Sequence, residues 1–194
     1  MKTLALLLLS CVAVSAQSLT GEALVKALQS GGNVIVMRHA SSPREVPDKA
    51  AANPDNTKLE RQLDDIGRNT ATTMGRAIRG LKIPIGAVLA SPTYRALETA
   101  RYAQLPNPET TPELGENAAS MSGGTAAQAA WLKTRVTQAP LVTNDFLITH
   151  QPNIAAAFPG IAVVNEGDAL IFHDGQMIAR IAINSWPALA KAAQ

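Results

Sequence analysis

The sequence predicts a three-layer α/β/α sandwich with a mostly parallel central sheet and a C-terminal antiparallel hairpin. Three observations lead there. Short apolar runs of strand length alternate with longer segments of helical period, the pattern of consecutive βαβ units. Three of those runs are followed at once by a cationic or imidazole group: residues 34–37 by Arg38-His39, residues 87–90 by a segment carrying Arg95, and residues 146–149 by His150. Ligands of open α/β sheets bind outside the carboxyl ends of the strands, so these groups mark one end as a site for an anion. Finally, Asp174-Gly175 lies between the apolar runs 169–172 and 177–183, a tight-hairpin signal.

A chain of 194 residues suffices for one domain with a full core and is short for two. Lys2, the apolar stretch 4–14 and Val14-Ser15-Ala16 before Gln17 read as a secretory signal over residues 1–16, with a single domain over 17–194. The apolar stretch is too short to span a bilayer, which takes about 20 residues. The expected location is therefore periplasmic or secreted, with no membrane insertion of the mature chain. Cys11 is the only cysteine, and Leu8-Leu9-Ser10-Cys11 resembles a lipoprotein box, which makes a lipid anchor at Cys11 the alternative. Cleavage after Ala16 would leave no disulfide, zinc-thiolate site or cysteine nucleophile. The formal charge is +2 and no run of Lys and Arg occurs, which argues against a nucleic-acid partner.

The elements follow in order. Thr20 caps a short helix over 21–29, ended by Ser30-Gly31-Gly32, and residues 33–37 form a buried strand. Residues 41–60 hold Pro43, Pro47 and Pro54 and lack periodicity; so long a loop directly after Arg38-His39 reads as a specificity loop over the site, or else as a disordered surface insertion. A helix is expected over 63–81, with Leu63, Ile66, Thr70, Met74, Ala77, Ile78 and Leu81 on its apolar side. A strand over 87–90 and a helix over 93–104 come next. Residues 105–124 are irregular. A third helix over 125–138 carries Ala130, Trp131 and Val136, a strand spans 145–149, and a short helix spans 153–158 before the hairpin.

Four segments resemble the histidine phosphatase superfamily in its phosphoglycerate-mutase-like branch. Arg38-His39-Ala40 stands for the family's Arg-His-Gly. Leu63 and Gly67, continued by Ala71 and Gly75, match its Leu-x-x-x-Gly helix start. Ser91, Arg95, Ala96, Thr99 and Ala100 match its Ser-x-x-x-Arg-Ala-x-x-Thr-Ala segment, and His150 matches its second histidine. Order and spacing agree from about Asn33 to Asn153. The resemblance implies a small phosphorylated substrate and no cofactor or metal. Neutral His39 would attack phosphorus and become phosphorylated. Arg38, Arg95 and His150, the last protonated beside the dianion, would hold the phosphoryl oxygens, with guanidinium forks that Lys cannot copy. A carboxylic acid must then protonate the leaving alkoxide and later activate water. Leu114-Gly115-Glu116 fits the family's Leu-x-Glu element, so Glu116 is the candidate acid; Glu113 lies in the same loop, and Glu98 reads as a structural contact.

The chain also departs from named branches of the family. Ala40 replaces the usual Gly, and Ser41-Ser42-Pro43-Arg44-Glu45 replaces the Glu-Ser that mutases carry. Gln151 follows His150 where phytase-like members have Asp. Arg44 and Arg61 either add positive charge at the mouth or are solvated loop groups, and His173 in the hairpin turn reads as surface. The expected activity is phosphomonoester hydrolysis outside the cytosol. The alternatives are a phosphotransferase of the same family and a catalytically weak protein that binds a phosphorylated ligand.

Overall fold

A computed structural model describes residues 18–116 and 124–192. The expected signal over 1–16 and the alternative at Cys11 lie outside the described residues. Six strands form one sheet in the order β3-β2-β4-β1-β5-β6. In chain order they are β1 (Asn33–Arg38), β2 (Ile85–Ala90), β3 (Glu109–Thr110), β4 (Asn144–Thr149), β5 (Ala169–His173) and β6 (Gln176–Ile181). β1, β4, β2 and β3 run parallel, while β5 pairs antiparallel with β1 and β6 antiparallel with β5. The helices are α1 (Gly21–Ser30), α2 (Asp65–Gly80), α3 (Tyr94–Ala103), α4 (Ala126–Arg135), α5 (Gln151–Ala157) and α6 (Trp186–Ala192).

Strand alternation divides the core in two. Ile35 and Met37 of β1, Phe146 and Ile148 of β4, and Ile171 of β5 pack with residues of α1, α2, α3 and α6. Val34, Val36, Leu147, Leu170 and Phe172 face the other way, against α4 and α5. Both faces are covered, which is why these strands read as unbroken apolar runs rather than as an alternating pattern. The chain reaches β2 and β3 on one side of β1, then returns to insert β4 between β1 and β2. That reversal opens a crevice at the carboxyl ends of β1, β4 and β2.

The antiparallel hairpin turns through Asp174 and Gly175, both with positive φ (46° and 77°), as a two-residue type I′ connection requires. Asp64 caps α2 by accepting from the Gly67 amide at 2.7 Å, so the helix starts at Asp65 and not at Leu63. Of the expected apolar side, Leu63, Met74, Ala77, Ile78 and Leu81 are buried, whereas Ile66 is 67% exposed and its place on the buried face goes to Gly67, Ala71 and Gly75. The small residues let the α2 backbone touch its neighbours: a Cβ on Gly67 would sit 2.1 Å from the Ser41 carbonyl oxygen, and one on Gly75 1.9 Å from that of Ala103. Close approach at the glycines and burial of Met74 and Ile78 together set the rotation of this helix.

Three further expectations change. On α4 the buried residues are Ala129 and Leu132, with Ala130 exposed and Trp131 half-buried. A capping box between Thr125 and Gln128 starts that helix. The irregular segment after α3 contains β3 and a 3₁₀ turn over Pro112–Leu114. The last apolar run ends as a strand at Ile181. A 3₁₀ turn over Ile183–Ser185 then leads into α6, whose Trp186 is fully buried against α2. With a lone proline beside it and short length, α6 has too little periodicity to be seen in sequence.

The segment between β1 and α2 has no helix or strand, but it is closed at its base and tied down. The Asp64 amide donates to the Ser41 carbonyl at 3.2 Å, and the Ser41 hydroxyl donates to Asp64 Oδ2 at 2.7 Å. Gln62 accepts from the Asn53 amide at 2.9 Å, and Asn53 Nδ2 donates to Glu98 Oε1 of α3 at 2.7 Å. The Tyr94 amide donates to Glu60 Oε2 at 2.9 Å. These bonds seat the loop against α3, in keeping with the first of its two readings.

The glycine contact of α2 generates a direct test. Gly75→Ala must push α2 away from the end of α3, and should lower the unfolding free energy by about 1–3 kcal/mol, read as a lower urea midpoint. Unchanged stability would show that the contact relaxes freely.

Candidate active site

The residues singled out in sequence converge at the crevice. Arg38 ends β1, His39 follows it, Arg95 lies in the first turn of α3 after β2, and His150 caps α5 after β4. His39, Arg95 and His150 are 3%, 3% and 1% exposed. The two imidazoles meet edge to face with centroids 5.2 Å apart.

Hydrogen bonds specify which ring atoms are available. His39 Nδ1–H donates to its neighbour's carbonyl, Ala40 O, at 2.8 Å, which leaves the Nε2 lone pair for the crevice. Arg95 Nε–H donates to that Nε2 at 3.2 Å. The Arg95 Nη2 group donates to His150 Nδ1 at 3.2 Å and to Glu116 Oε2 at 2.5 Å. His150 therefore carries its proton on Nε2 and donates it to Ser91 Oγ at 2.8 Å. The backbone keeps the frame: the His39 amide donates to Thr149 O at 3.0 Å, and the Ala40 amide to Thr99 Oγ1 at 3.0 Å. Ala40 itself is fully buried in the core, so a Cβ fits where the family usually has glycine.

A model of the histidine phosphatase superfamily (branch 1) matches residues 34–140, more than half of the chain. The chain belongs to that superfamily. The matched span includes Arg38, His39, Arg95 and Glu116 but stops short of His150, which the fold itself brings to the others. Solved histidine phosphatases share the fold. The protein histidine phosphatase SixA complexed with tungstate is 20% identical, with a TM-score of 0.58 over 79% of this chain and 98% of that one. A putative α-ribazole-5′-P phosphatase from Escherichia coli is 14% identical, with a TM-score of 0.53 over 78% and 98%. A putative phosphohistidine phosphatase SixA from Agrobacterium tumefaciens is 16% identical, with a TM-score of 0.51 over 78% and 98%. A comparison with curated proteins finds no match.

In this histidine phosphatase the carboxylates have distinct places. Glu116 borders a cavity of about 940 Å³, together with Arg38, Ser42, Arg44, Arg61, Pro152, Asn165 and Glu166. Its loop is pinned from below: Asn153 Nδ2 and Gln128 Nε2 donate to Gly115 O at 2.9 and 3.0 Å. Glu113 does not line this cavity and instead accepts from the Thr111 hydroxyl. Glu98 is buried and accepts from the Leu63 amide at 2.6 Å; burial pushes its carboxyl up, against that bond. Glu98 thus ties α3 to the loop that precedes α2, a structural contact as its sequence position suggested. His173 is half-exposed and bonds Gly32 O at 2.9 Å, far along β5 from the crevice.

Arg61 and Arg44 are mouth residues. Arg61 Nε and Nη2 donate to Pro43 O and Ser42 O at 2.5 and 3.1 Å, which fixes its guanidinium beside the crevice. Sequence reasoning missed Glu166, Asn165 and Asn153. Glu166 Oε1 accepts from Arg38 Nη2 at 3.0 Å. An acidic residue in a connecting loop carries no periodicity or motif, so only the fold reveals its partner.

Burial pushes the His39 imidazole well below its usual pKa of 6.5, and the neighbouring His150, Arg95 and Arg38 act in the same direction. The Ala40 bond opposes them. Burial likewise pushes His150 down to about 3, helped by Arg95, Arg61 and Arg38. Both rings are neutral in the free protein at pH 7. The expectation of a protonated His150 concerns the site with its dianion bound, where the anion's charge would favour that form.

Neutral buried histidines make stability depend on pH. Their folded pKa values lie below the unfolded value, so the unfolded chain binds more protons below pH 6.5 and gains on the folded state there. Stability should be level above pH 7 and fall by about 1.4 kcal/mol per histidine for each pH unit below 6.5. Urea unfolding at pH 7.5 and 5.5 measures it. Equal midpoints at the two pH values would contradict neutral burial of the pair.

Proposed function

We propose that this chain is a phosphomonoesterase that works through a phosphohistidine on His39, outside the cytosol. The observation that carries the reading is the His39 Nε2 lone pair, oriented by the Nδ1–H bond and met by the Arg95 guanidinium, which also bonds the second imidazole. A phosphoryl group carries charge on three oxygens, so its transfer depends on placed cations and an in-line nucleophile. Arg95 meets the incoming dianion by exchanging its bonds to His39 and Glu116 for phosphoryl oxygens. His39 Nε2 then attacks phosphorus, the bond from phosphorus to the ester oxygen breaks, and Glu116 gives its proton to the departing alkoxide.

The dianion itself prepares that acid. It takes Arg95 from the Glu116 carboxylate, which then receives from solvent the proton that it passes to the alkoxide. In the second half, Glu116 takes a proton from water as the water oxygen attacks the phosphohistidine. Phosphate leaves, and His39 returns to its neutral form with Nδ1–H still on Ala40. His150, fixed through its Nε2–H bond to Ser91, takes a proton from solvent on Nδ1 beside the dianion, hydrogen-bonds a phosphoryl oxygen with it, and returns it to solvent when phosphate leaves.

The cations needed for the step are supplied by Arg38 and Arg95. Among the described residues no group of three or more His, Cys, Asp or Glu is gathered to hold a metal ion. EDTA should leave the rate unchanged. The extracytosolic location rests on the leader alone, and mass spectrometry of exported protein should find Gln17 at its amino terminus. An acylated Cys11 would replace that reading by a lipid anchor. Among the described residues, no helix is long and apolar enough to cross a membrane.

The decisive experiment is a screen of phosphomonoesters followed by trapping of the phosphoenzyme. His39→Ala should abolish phosphate release, and Arg95→Ala should slow it by about a hundredfold or more. Glu116→Gln should slow hydrolysis of a sugar phosphate by about a hundredfold. In single turnover, phosphoenzyme formation from p-nitrophenyl phosphate, whose leaving group departs unaided, should change far less. Full activity in His39→Ala would end the proposal. Transfer of the phosphoryl group to added alcohols in preference to water would make the protein a phosphotransferase.

A further inference from the structure

Arg38 has an arrangement that the phosphohistidine chemistry alone does not require. Its Nη1 donates to Val164 O at 3.1 Å and its Nη2 to Glu166 Oε1 at 3.0 Å. Its Nε is buried and has no hydrogen-bond partner. A buried donor without an acceptor carries its full desolvation cost until an acceptor arrives. We propose that Glu166 is the positioning residue of Arg38, holding its outer nitrogens so that the Nε–H edge is kept free for the phosphoryl oxygens. This rests on the phosphatase reading of the site.

The turn that presents Glu166 is built for one geometry. Gly167 has φ +83°, and its amide donates to both Arg38 O and His39 O at 3.1 and 2.9 Å. The Arg38 amide in turn donates to Asp168 O at 3.1 Å. The Asp168 carboxylate holds the other side of the turn, accepting from Asn165 Nδ2 at 3.2 Å and from Arg180 Nη2 at 2.5 Å. Glu166 is thereby locked to the same stretch of backbone that carries the nucleophile. Its second oxygen accepts from the Ser42 amide at 3.4 Å, so one carboxylate spans the guanidinium and the start of the mouth loop.

Charge gives a second reason for a carboxylate at this place. Arg38, Arg44, Arg61 and Glu116 line the same cavity, and an unpaired Arg38 would be free to swing toward Glu116. A fork held at two nitrogens loses less freedom when it binds an anion than one held at none. The same carboxylate repels a phosphate dianion, so Glu166 contributes through the placing of Arg38 and not through contact with substrate.

The test is a double-mutant cycle on the intact chain. Glu166→Ala should lower kcat by about tenfold to a hundredfold with a much smaller change in KM. Glu166→Gln, which keeps an acceptor oxygen in place, should stay within about threefold of the parent, while Glu166→Asp, which withdraws it, should resemble Ala. Arg38→Ala combined with Glu166→Ala should be no slower than Arg38→Ala alone, because Glu166 acts only through that arginine. Equal thermal midpoints separate a positional loss from an unfolded turn. If Glu166→Ala does not fold, Glu166→Asp carries the same cycle. Unchanged or faster turnover in Glu166→Ala, or additive losses in the cycle, would overturn the assignment while leaving the phosphatase reading intact. Phosphate release by His39→Ala would instead remove the reading on which it rests.

Discussion

One guanidinium joins four parts of this chain. Arg95 reaches the residue after β1 through His39, the residue after β4 through His150, and the loop after the 3₁₀ turn through Glu116. Its own carbonyl accepts from Thr99 Oγ1 at 2.9 Å, and that hydroxyl accepts from the Ala40 amide. An arginine 3% exposed cannot remain unpaired, because a buried charge without partners costs several kcal/mol. The carboxyl ends of three parallel strands are thus drawn to one cation, and the crevice exists because that cation has to be satisfied.

The same constraint decides the protonation of the site. Two imidazoles near Arg38, Arg61 and Arg95 stay neutral, since a fourth and fifth positive charge in a buried space would be poorly solvated and repelled. Neutrality serves nucleophilic attack at His39. At His150 it means that Nδ1 is an acceptor in the empty site and a donor only when an anion is present, while Nε2 donates to Ser91 in both. Glu116 and Glu166 each neutralise one arginine at rest. The two pairs differ in their setting, for Glu116 meets a buried guanidinium from a half-exposed position, whereas Glu166 is rigidly seated beside a partly exposed one.

How much of this is legible before the structure depends on the kind of interaction. Strands β1, β4 and β5 are readable because burial on both faces leaves an apolar run, and the four inner site residues are readable because each directly follows such a run or opens the helix after it. Helix α2 is readable as a helix, and in its second half by its face, where Met74, Ala77 and Ile78 are buried as patterning assigns them. Its first turn is not, because Gly67 packs there through the lack of a side chain and patterning assigns the place to Ile66 instead. Asn153, Asn165 and Glu166 act through partners distant in sequence, and no local rule singles out one polar loop residue from its neighbours. Helix α6 packs a single tryptophan, too little for a period.

The loop between Ser41 and Asp64 enters and leaves the fold at one neck, closed by a backbone bond and a side-chain bond between those two residues. Beyond that neck the segment is moored again. Glu60 takes the Tyr94 amide next to Arg95, Asn53 reaches Glu98, and the Ser42 amide reaches the carboxylate that holds Arg38. Ser42, Arg44 and Arg61 of this segment face the cavity. The entrance and the phosphorus chemistry therefore share fastenings, and exchanging the whole loop for another alcohol would also disturb the residues that seat both arginines.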